Sequence, residues 1–390
     1  MSTHNEPGGT IVHEIRWSDA LPWWLLFRAA GAAFSPTVIL LAAAGAVATW
    51  AGWSMADRLG LAGVDRAADV IAAAKTADEL LLPPAAAVAP LAAGSPAKKW
   101  LTAVGDRLPP VVADMSRLLA IPFRPSATLR EVAGAAARIG WFVLVWSIFG
   151  TAIARHVALK LVGEDAPGIV GATWFGSRKW LPAFNSVLFV LVGILALSVP
   201  GAILGLAMRT EWGLAFAGAV WPLVLLGAVV LAILAIGMIA GWPLMVACVG
   251  VERGDSFQAI STAFSYLYQR PLHYAFYAIV ALLVSIPTLL VAGLFAHATA
   301  DLAMWAASFG MGHARTATVL DGLAAGGPAA AAWGVKAIGF WTRGLETLLS
   351  SFGWGYFWAI ATAAYLLLRQ DVDGTELDEV VLDEPAGDAT

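Results

Sequence analysis

Long apolar runs alternate with short polar segments along most of this chain. Runs such as 186–208, 212–251 and 272–296 each exceed the roughly 18 residues that cross the hydrocarbon core of a bilayer. The pattern predicts an all-α integral membrane protein with about six transmembrane helices, because helices satisfy their own backbone groups in lipid. The run 212–251 contains no charged residue. It predicts either one span with a re-entrant or interfacial lead-in before Pro222, or a tight pair of spans.

A short amphipathic segment followed by an apolar run occurs twice, at 164–206 and at 252–294. Each unit opens with acidic residues, and the spacing from Phe175 to Pro182 recurs between Phe264 and Pro271. One interpretation is an internal duplication, which is common in membrane proteins. The other is chance similarity between two Ala-rich apolar stretches.

The amphipathic segments carry the strongest functional signal in the sequence. They mix aromatic and basic side chains, which favour the bilayer interface and anionic headgroups. The alternative is that they are connecting helices packed on the bundle, and that their bases only fix the orientation of the chain. The candidate lipid or partner contacts are Arg155, Lys160, Trp174, Arg178, Lys179, Trp180, Arg253, Tyr266, Tyr268 and Arg270.

The expected organisation follows the changes in composition along the chain. A signal peptide cleaved near Ala46-Val47-Ala48 is the alternative to the first span. The predicted segments are an N-terminal tail with an interfacial helix (1–28), a first transmembrane helix (29–53), an extramembrane helical insertion (54–138), a transmembrane core with the repeated units (139–297), a second extramembrane insertion (298–345), a last transmembrane helix (346–368) and an acidic disordered tail (369–390).

Composition and charge support a membrane location. Hydrophobic residues make up 59% of the 390 residues, and the mean hydropathy is +0.76. Eight of the 27 acidic residues follow Arg369, so the rest of the chain is basic. With 212–251 counted as one span, nine Lys or Arg residues fall on the side of the termini and four on the other. The bias predicts a protein of the inner (cytoplasmic) membrane with both termini in the cytoplasm.

No pattern typical of an enzyme or of a nucleic-acid-binding protein is present. The phosphate-cradling, dinucleotide and nucleophile-elbow motifs are absent, and the six histidines show no ligand spacing. We therefore expect no catalytic residue, cofactor, metal or nucleic acid.

The predicted apolar cores lack ionisable residues, which argues against ion-coupled transport. The candidate helix kinks are Pro200, Pro222, Pro243 and Pro287.

The segment from Arg155 to Pro182, with its acidic start and aromatic-basic continuation, resembles a large group of bacterial multi-pass membrane proteins of unassigned function. The second unit is similar to the helix-and-span pairs of glycerophosphodiesterase-type membrane domains and of Yip1-like proteins. The resemblance implies a bacterial integral membrane protein and brings no functional residue with it.

Two functional hypotheses follow from the sequence. The first is a non-enzymatic scaffold or subunit that organises membrane lipids, or protein partners bound through 54–138, 298–345 or the acidic tail. The second is a permease or transport subunit for an uncharged or lipophilic solute, which the interrupted spans would favour. A water-lined central cavity would favour the permease, and a dry, filled bundle would favour the scaffold.

Overall fold

The computed structural model describes residues 21–59, 129–325 and 333–376. Within these ranges the chain forms helices and no strand. The helices are α1 (Trp24–Ala33), α2 (Pro36–Arg58), α3 (Leu129–Val162), α4 (Ile169–Ala207), α5 (Glu211–Glu252), α6 (Ser256–Gln269), α7 (Pro271–Ala325) and α8 (Trp333–Asp373).

Six of these helices, α2, α3, α4, α5, α7 and α8, are long and apolar enough to cross a membrane. This confirms the predicted all-helical chain with six candidate spans. The charge-free run 212–251 lies within one helix, α5, which has 42 residues. At 1.5 Å per residue α5 is about 63 Å long, about twice the thickness of a hydrocarbon core.

The helices α2 and α6 begin at capping side chains. The Ser35 hydroxyl accepts a hydrogen bond from the Val38 amide, and Pro36 occupies the first turn of α2. The break between α1 and α2 therefore lies inside the predicted first span, 29–53. The Asp255 carboxylate caps α6 by accepting from the Gln258 amide at 2.8 Å. Both caps satisfy amides that have no partner within the helix.

The two proposed repeat units differ in their backbone. Pro182 lies inside α4, which continues through it, whereas Pro271 begins α7 after a break at Arg270. Four further prolines, Pro200, Pro222, Pro243 and Pro287, also lie inside helices. The non-helical backbone within α7 is at Gly312, with φ 73° and ψ 165°. Gly tolerates this positive φ because it has no Cβ.

The helix α8 is the central element of the bundle. Of the 18 consecutive residues that are most apolar in α8, 83% are buried inside the protein. In α4 and in α5 the corresponding share is 6%. Around it the core consists of stacked indoles. Trp146 stacks on Trp354 at 4.3 Å between ring centroids, and Trp242 meets Trp358 edge-on at 5.2 Å.

One end of the bundle, which we call the polar end, gathers the ends of α3, α5 and α8 and the starts of α2, α4 and α7. There the Ser35 hydroxyl lies 3.3 Å from His156 Nε2. The Arg28 guanidinium donates to the Leu161 carbonyl at 2.6 Å, near the end of α3. The other end holds an ion pair between Asp57 and Arg138.

Several predicted boundaries fall within helices. The helix α2 continues to Arg58 and α3 begins at Leu129, so both enter the predicted insertion 54–138; residues 60–128 lie outside the described residues. The second predicted insertion, 298–345, includes the end of α7 and the start of α8. The helix α8 also continues into the predicted tail, to Asp373, and residues 377–390 lie outside the described residues.

Candidate lipid- and partner-binding site at the polar end

Three elements carry basic side chains on the polar-end side of the bundle. Lys160 lies in the last turn of α3, Arg178 and Lys179 lie in α4, and Arg253 occupies the turn between α5 and α6. We call these four residues the basic belt. The Lys179 ammonium donates to the Arg253 carbonyl at 3.0 Å and so ties α4 to the end of α5. Arg253 adopts the left-handed conformation, with φ 61°, that ends α5.

Aromatic rings hold the cations of this region in place. The Arg178 guanidinium carbon lies 4.0 Å from the centroid of the Trp174 ring. Phe175 has two guanidinium neighbours, Arg155 at 5.3 Å and Arg253 at 5.9 Å. The negative face of an aromatic ring attracts such cations. The rings therefore keep positive charge concentrated beside the start of α4.

A close helix contact lies behind the basic belt. A Cβ built at Gly176 would lie 2.3 Å from the Ile148 carbonyl oxygen, so glycine lets α4 approach the backbone of α3. Gly250 does the same for α5, because its Cβ would lie 2.7 Å from the Ala154 Cβ. The positions of the belt side chains thus depend on the small residues beneath them.

A second cluster of the polar end is built on carboxylates. The Glu252 carboxylate accepts a hydrogen bond from the Tyr365 hydroxyl. It accepts another from the side-chain amide nitrogen Nε2 of Gln258 at 2.7 Å, and it lies 3.2 Å from Arg369 Nε. Nearby, the Tyr266 hydroxyl donates to Asp373. These contacts join α5, α6 and α8, and Arg369 neutralises the largely shielded Glu252 carboxylate, whose charge would otherwise be costly to bury.

Tyr266 lies on the buried side of this cluster. Only 1% of the residue is exposed. Burial, together with the hydrogen bond to the Asp373 carboxylate, raises the pKa of Tyr266 above its ordinary value. The neutral phenol is thus the form that the fold stabilises.

The ten candidate contact residues separate into interior and surface positions. Arg155 and Tyr266 are each 1% exposed, and the Arg155 guanidinium donates to the Val251 carbonyl at 3.4 Å, so both lie in the protein interior. The surface positions, exposed or half-buried, are Lys160, Trp174, Arg178, Lys179, Trp180, Arg253, Tyr268 and Arg270.

The amphipathic helix α6 packs along α5. Ala263 faces Gly241 and the Phe264 ring faces Gly237, while the Tyr268 hydroxyl donates to the Ile233 carbonyl. These contacts move backwards along α5 as α6 advances, so the two helices run antiparallel. This packing agrees with the alternative interpretation of the segment, in which it is a connecting helix packed on the bundle. One edge of α6 remains exposed, with Phe257 70% accessible.

No local sequence pattern marks the whole carboxylate cluster. Asp371 and Asp373 lie in the predicted disordered tail, and Tyr365 lies in the predicted last span. A usable signal was the spacing of Tyr365 and Arg369, which places both on one face at the end of α8. Within the described residues, no group of three or more His, Cys, Asp or Glu side chains is placed to hold a metal.

Comparison with protein-family models, with curated proteins and with solved structures finds no match to this chain.

Proposed function

We propose that the protein is a non-enzymatic membrane scaffold that holds anionic lipid headgroups, or an acidic partner, against its basic belt. The observation that carries the proposal is the contact between the Lys179 ammonium and the Arg253 carbonyl, which brings bases of α4 and of the α5–α6 turn together. Arg178 is exposed next to Lys179, and Lys160 is exposed in the last turn of α3. Each basic group near an anionic leaflet contributes about 1 kcal/mol of attraction. The acidic Glu164 and Asp165 lie exposed in the connection beside the belt and reduce this attraction.

The filled bundle core supports a scaffold over a permease. Trp146 and Trp358 are fully buried at the centre and stack at 6.0 Å, and Phe142 packs against Trp354 at 5.3 Å. Large rings in mutual contact leave little room for a solute path at this level. A permease remains the alternative that a transport measurement would have to establish.

We further propose that the polar end faces the cytoplasm in the inner membrane. The basic belt and Arg270 lie at this end, as the positive-inside rule requires of the cytoplasmic side. The exposed aromatic groups Trp174 and Tyr268 suit the bilayer boundary. The first turns of α4 and the exposed edge of α6 then lie at the interface.

Charge reversal tests the belt directly. We expect the double variant Arg178→Glu/Lys179→Glu to co-purify with several-fold less anionic lipid than the wild type, measured by mass spectrometry of extracted lipids. The matched control is Arg209→Glu/Arg315→Glu, which changes the charge equally at two exposed positions away from the belt. Orientation of each variant is checked first by accessibility labelling.

Two results would count against the proposal. If the belt variant inserts correctly and retains its anionic lipid and partners, the bases serve only to orient the chain. If purified wild-type protein moves an uncharged solute across vesicles, the permease alternative is correct.

A further inference from the structure

A groove at the polar end lies apart from the basic belt and has the opposite character. It is formed by the start of α1, the start of α7 and the end of α8, and it encloses about 370 Å³. Three aromatic side chains line it, Trp23, Phe276 and Tyr277, together with the Asp371 carboxylate and the His273 ring. Aromatic faces beside a carboxylate are a combination that binds organic cations.

The rings of the groove are held at steep angles to one another. Trp23 and Phe276 are 6.4 Å apart at 87°, and Phe276 and Tyr277 are 5.9 Å apart at 59°. In such an arrangement ring faces of different orientation border one space. Since each face carries a negative quadrupole, a cation in that space can contact more than one ring.

The carboxylate is fixed at the edge of the ring cluster. The Tyr277 hydroxyl donates to Asp371 Oδ2 at 2.8 Å, and Tyr277 itself is only 5% exposed. Because one hydrogen bond leaves a carboxylate its charge and further acceptor sites, Asp371 can still pair with a cation. The base two residues away, Arg369, is engaged by Glu252 at 3.2 Å.

The surroundings of the groove are those of a lipid-exposed surface. Phe276 is 44% exposed and Leu272 is 81% exposed. Further along α7, Ile279 and Leu283 are 57% and 62% exposed and continue the apolar surface. A headgroup in the groove could thus place its acyl chains along α7.

We propose that this groove binds an ammonium group, either in the headgroup of a zwitterionic lipid or in a free ammonium compound. If the ligand is a lipid, the inference rests on the proposed scaffold function and deepens it. It names the zwitterionic lipids, a headgroup class that the basic belt does not select. The belt would hold phosphate-rich anionic lipid, and the groove would hold the ammonium end of choline or ethanolamine lipid.

The test uses the full chain in a non-ionic detergent at pH 8. The probes are a short-chain phosphatidylcholine, the matching phosphatidylglycerol and choline chloride, and affinities are measured by native mass spectrometry and thermophoresis. Because the basic belt is itself proposed to hold anionic lipid, the two lipids are compared on the Arg178→Glu/Lys179→Glu variant. We expect that variant to bind the choline lipid at least about fivefold more tightly than the glycerol lipid, which lacks the cation.

Two variants remove different parts of the site. Asp371→Asn removes the charge but keeps an oxygen acceptor for Tyr277, and Phe276→Leu removes one ring at an exposed position. Each should weaken binding of the choline lipid by about fivefold or more. The control Glu376→Gln makes the same change of net charge at an exposed position outside the groove lining and should bind like the wild type.

The outcomes separate the sources and the two proposals. Binding of choline chloride that Asp371→Asn weakens identifies a site for free ammonium compounds as well, whereas binding of the lipid alone assigns the site to lipid. Equal affinity of the Arg178→Glu/Lys179→Glu variant for the two lipids, or wild-type affinity for the choline lipid in both folded groove variants, overturns the inference. The Arg178→Glu/Lys179→Glu variant should keep its choline lipid, so failure of the basic belt would not be mistaken for failure of the groove.

Discussion

The Glu252 carboxylate lies 3.2 Å from the Arg369 guanidinium nitrogen Nε, so the end of α5 is joined to the end of α8. Both side chains are largely shielded, with exposures of 15% and 13%. Tyr365 and Gln258 donate to the same carboxylate, which links α6 to the pair. A carboxylate with these partners holds three helices together at the polar end.

We expect Glu252→Gln to lower the free energy of unfolding by about 1–3 kcal/mol, because Arg369 would keep a shielded charge without its carboxylate. The 18 tryptophans allow melting to be followed by intrinsic fluorescence in detergent. The control Glu211→Gln neutralises an exposed acid at the other end of the same helix and should change stability little.

A double-mutant cycle isolates the pair from its surroundings. The double variant Glu252→Gln/Arg369→Gln should be less destabilised than the sum of the two single variants, with a coupling of about 1 kcal/mol or more. Strict additivity would show that the two side chains do not stabilise each other, despite their short separation.

Gly250 offers a test of the close contact between α3 and α5. A Cβ there would lie 2.7 Å from the Ala154 Cβ and 3.2 Å from the Arg155 amide nitrogen. We expect Gly250→Ala to destabilise the protein by about 1–3 kcal/mol through overpacking. Gly227→Ala is the matched control in the same helix, since its Cβ would meet nothing within 4 Å. Equal melting temperatures for the two variants would contradict the packing.

The glycine pairs in the sequence show what pattern alone can predict. Gly201 and Gly205 have the spacing of a helix-packing motif, yet a Cβ at either would meet nothing within 4 Å. Gly237 and Gly241, with the same spacing, face Phe264 and Ala263 of α6. The spacing is identical, so only the fold determines which pair is used.

The six candidate spans could be predicted because long apolar runs are a local property of the sequence. The start of α2 was missed, because the first span was predicted from residue 29, although Ser35 followed by Pro36 is a typical helix start. The course of 212–251 could not be predicted, because a charge-free run of that length permits one helix or two.

The spacing of Tyr365 and Arg369 places both on one face of α8, but it does not identify the carboxylate that they share. Glu252 and Tyr365 are 113 residues apart, and no local pattern brings them together. The burial of Arg155 could not be predicted for the same reason. Its neighbours come from α4 and α5, and they cover a base that the sequence placed among the surface contacts. Pairings between distant helices depend on the tertiary fold.

Tyr266 makes the stability of the protein sensitive to alkaline pH. Its pKa is raised in the folded state by burial first and by the Asp373 carboxylate second, whereas the unfolded phenol titrates near 10. An acid whose folded pKa is raised contributes its full stabilisation below the unfolded pKa and loses it as the pH rises further. The window of loss therefore begins at about pH 10.

We expect Tyr266→Phe to remove part of this alkaline sensitivity. The measurement is the melting temperature of the variant and of the wild type from pH 7 to 11. The melting temperature of the wild type should exceed that of Tyr266→Phe near neutral pH, and this difference should disappear above about pH 10. A constant difference between them at every pH would show that Tyr266 does not contribute to the pH dependence.

Crossing of the membrane can be tested with introduced cysteines, because the natural Cys248 is buried and should react slowly. Asp165→Cys and Arg270→Cys lie at exposed positions of the polar end, and Arg209→Cys and Asp321→Cys lie at exposed positions away from it. In intact cells, a membrane-impermeant maleimide should label the second pair and spare the first. After permeabilisation all four should react.

This pattern follows from two features of the chain. Since α5 is one continuous helix from Glu211 to Glu252, positions 165 and 270 must share a side if α4 and α5 each cross once. The basic residues around them then place that side in the cytoplasm. If Asp165→Cys and Arg270→Cys are both labelled from outside, the orientation is the opposite of the proposed one, but the six crossings are kept. Labelling of only one of these two would contradict a single crossing by α4 or α5, whatever the orientation.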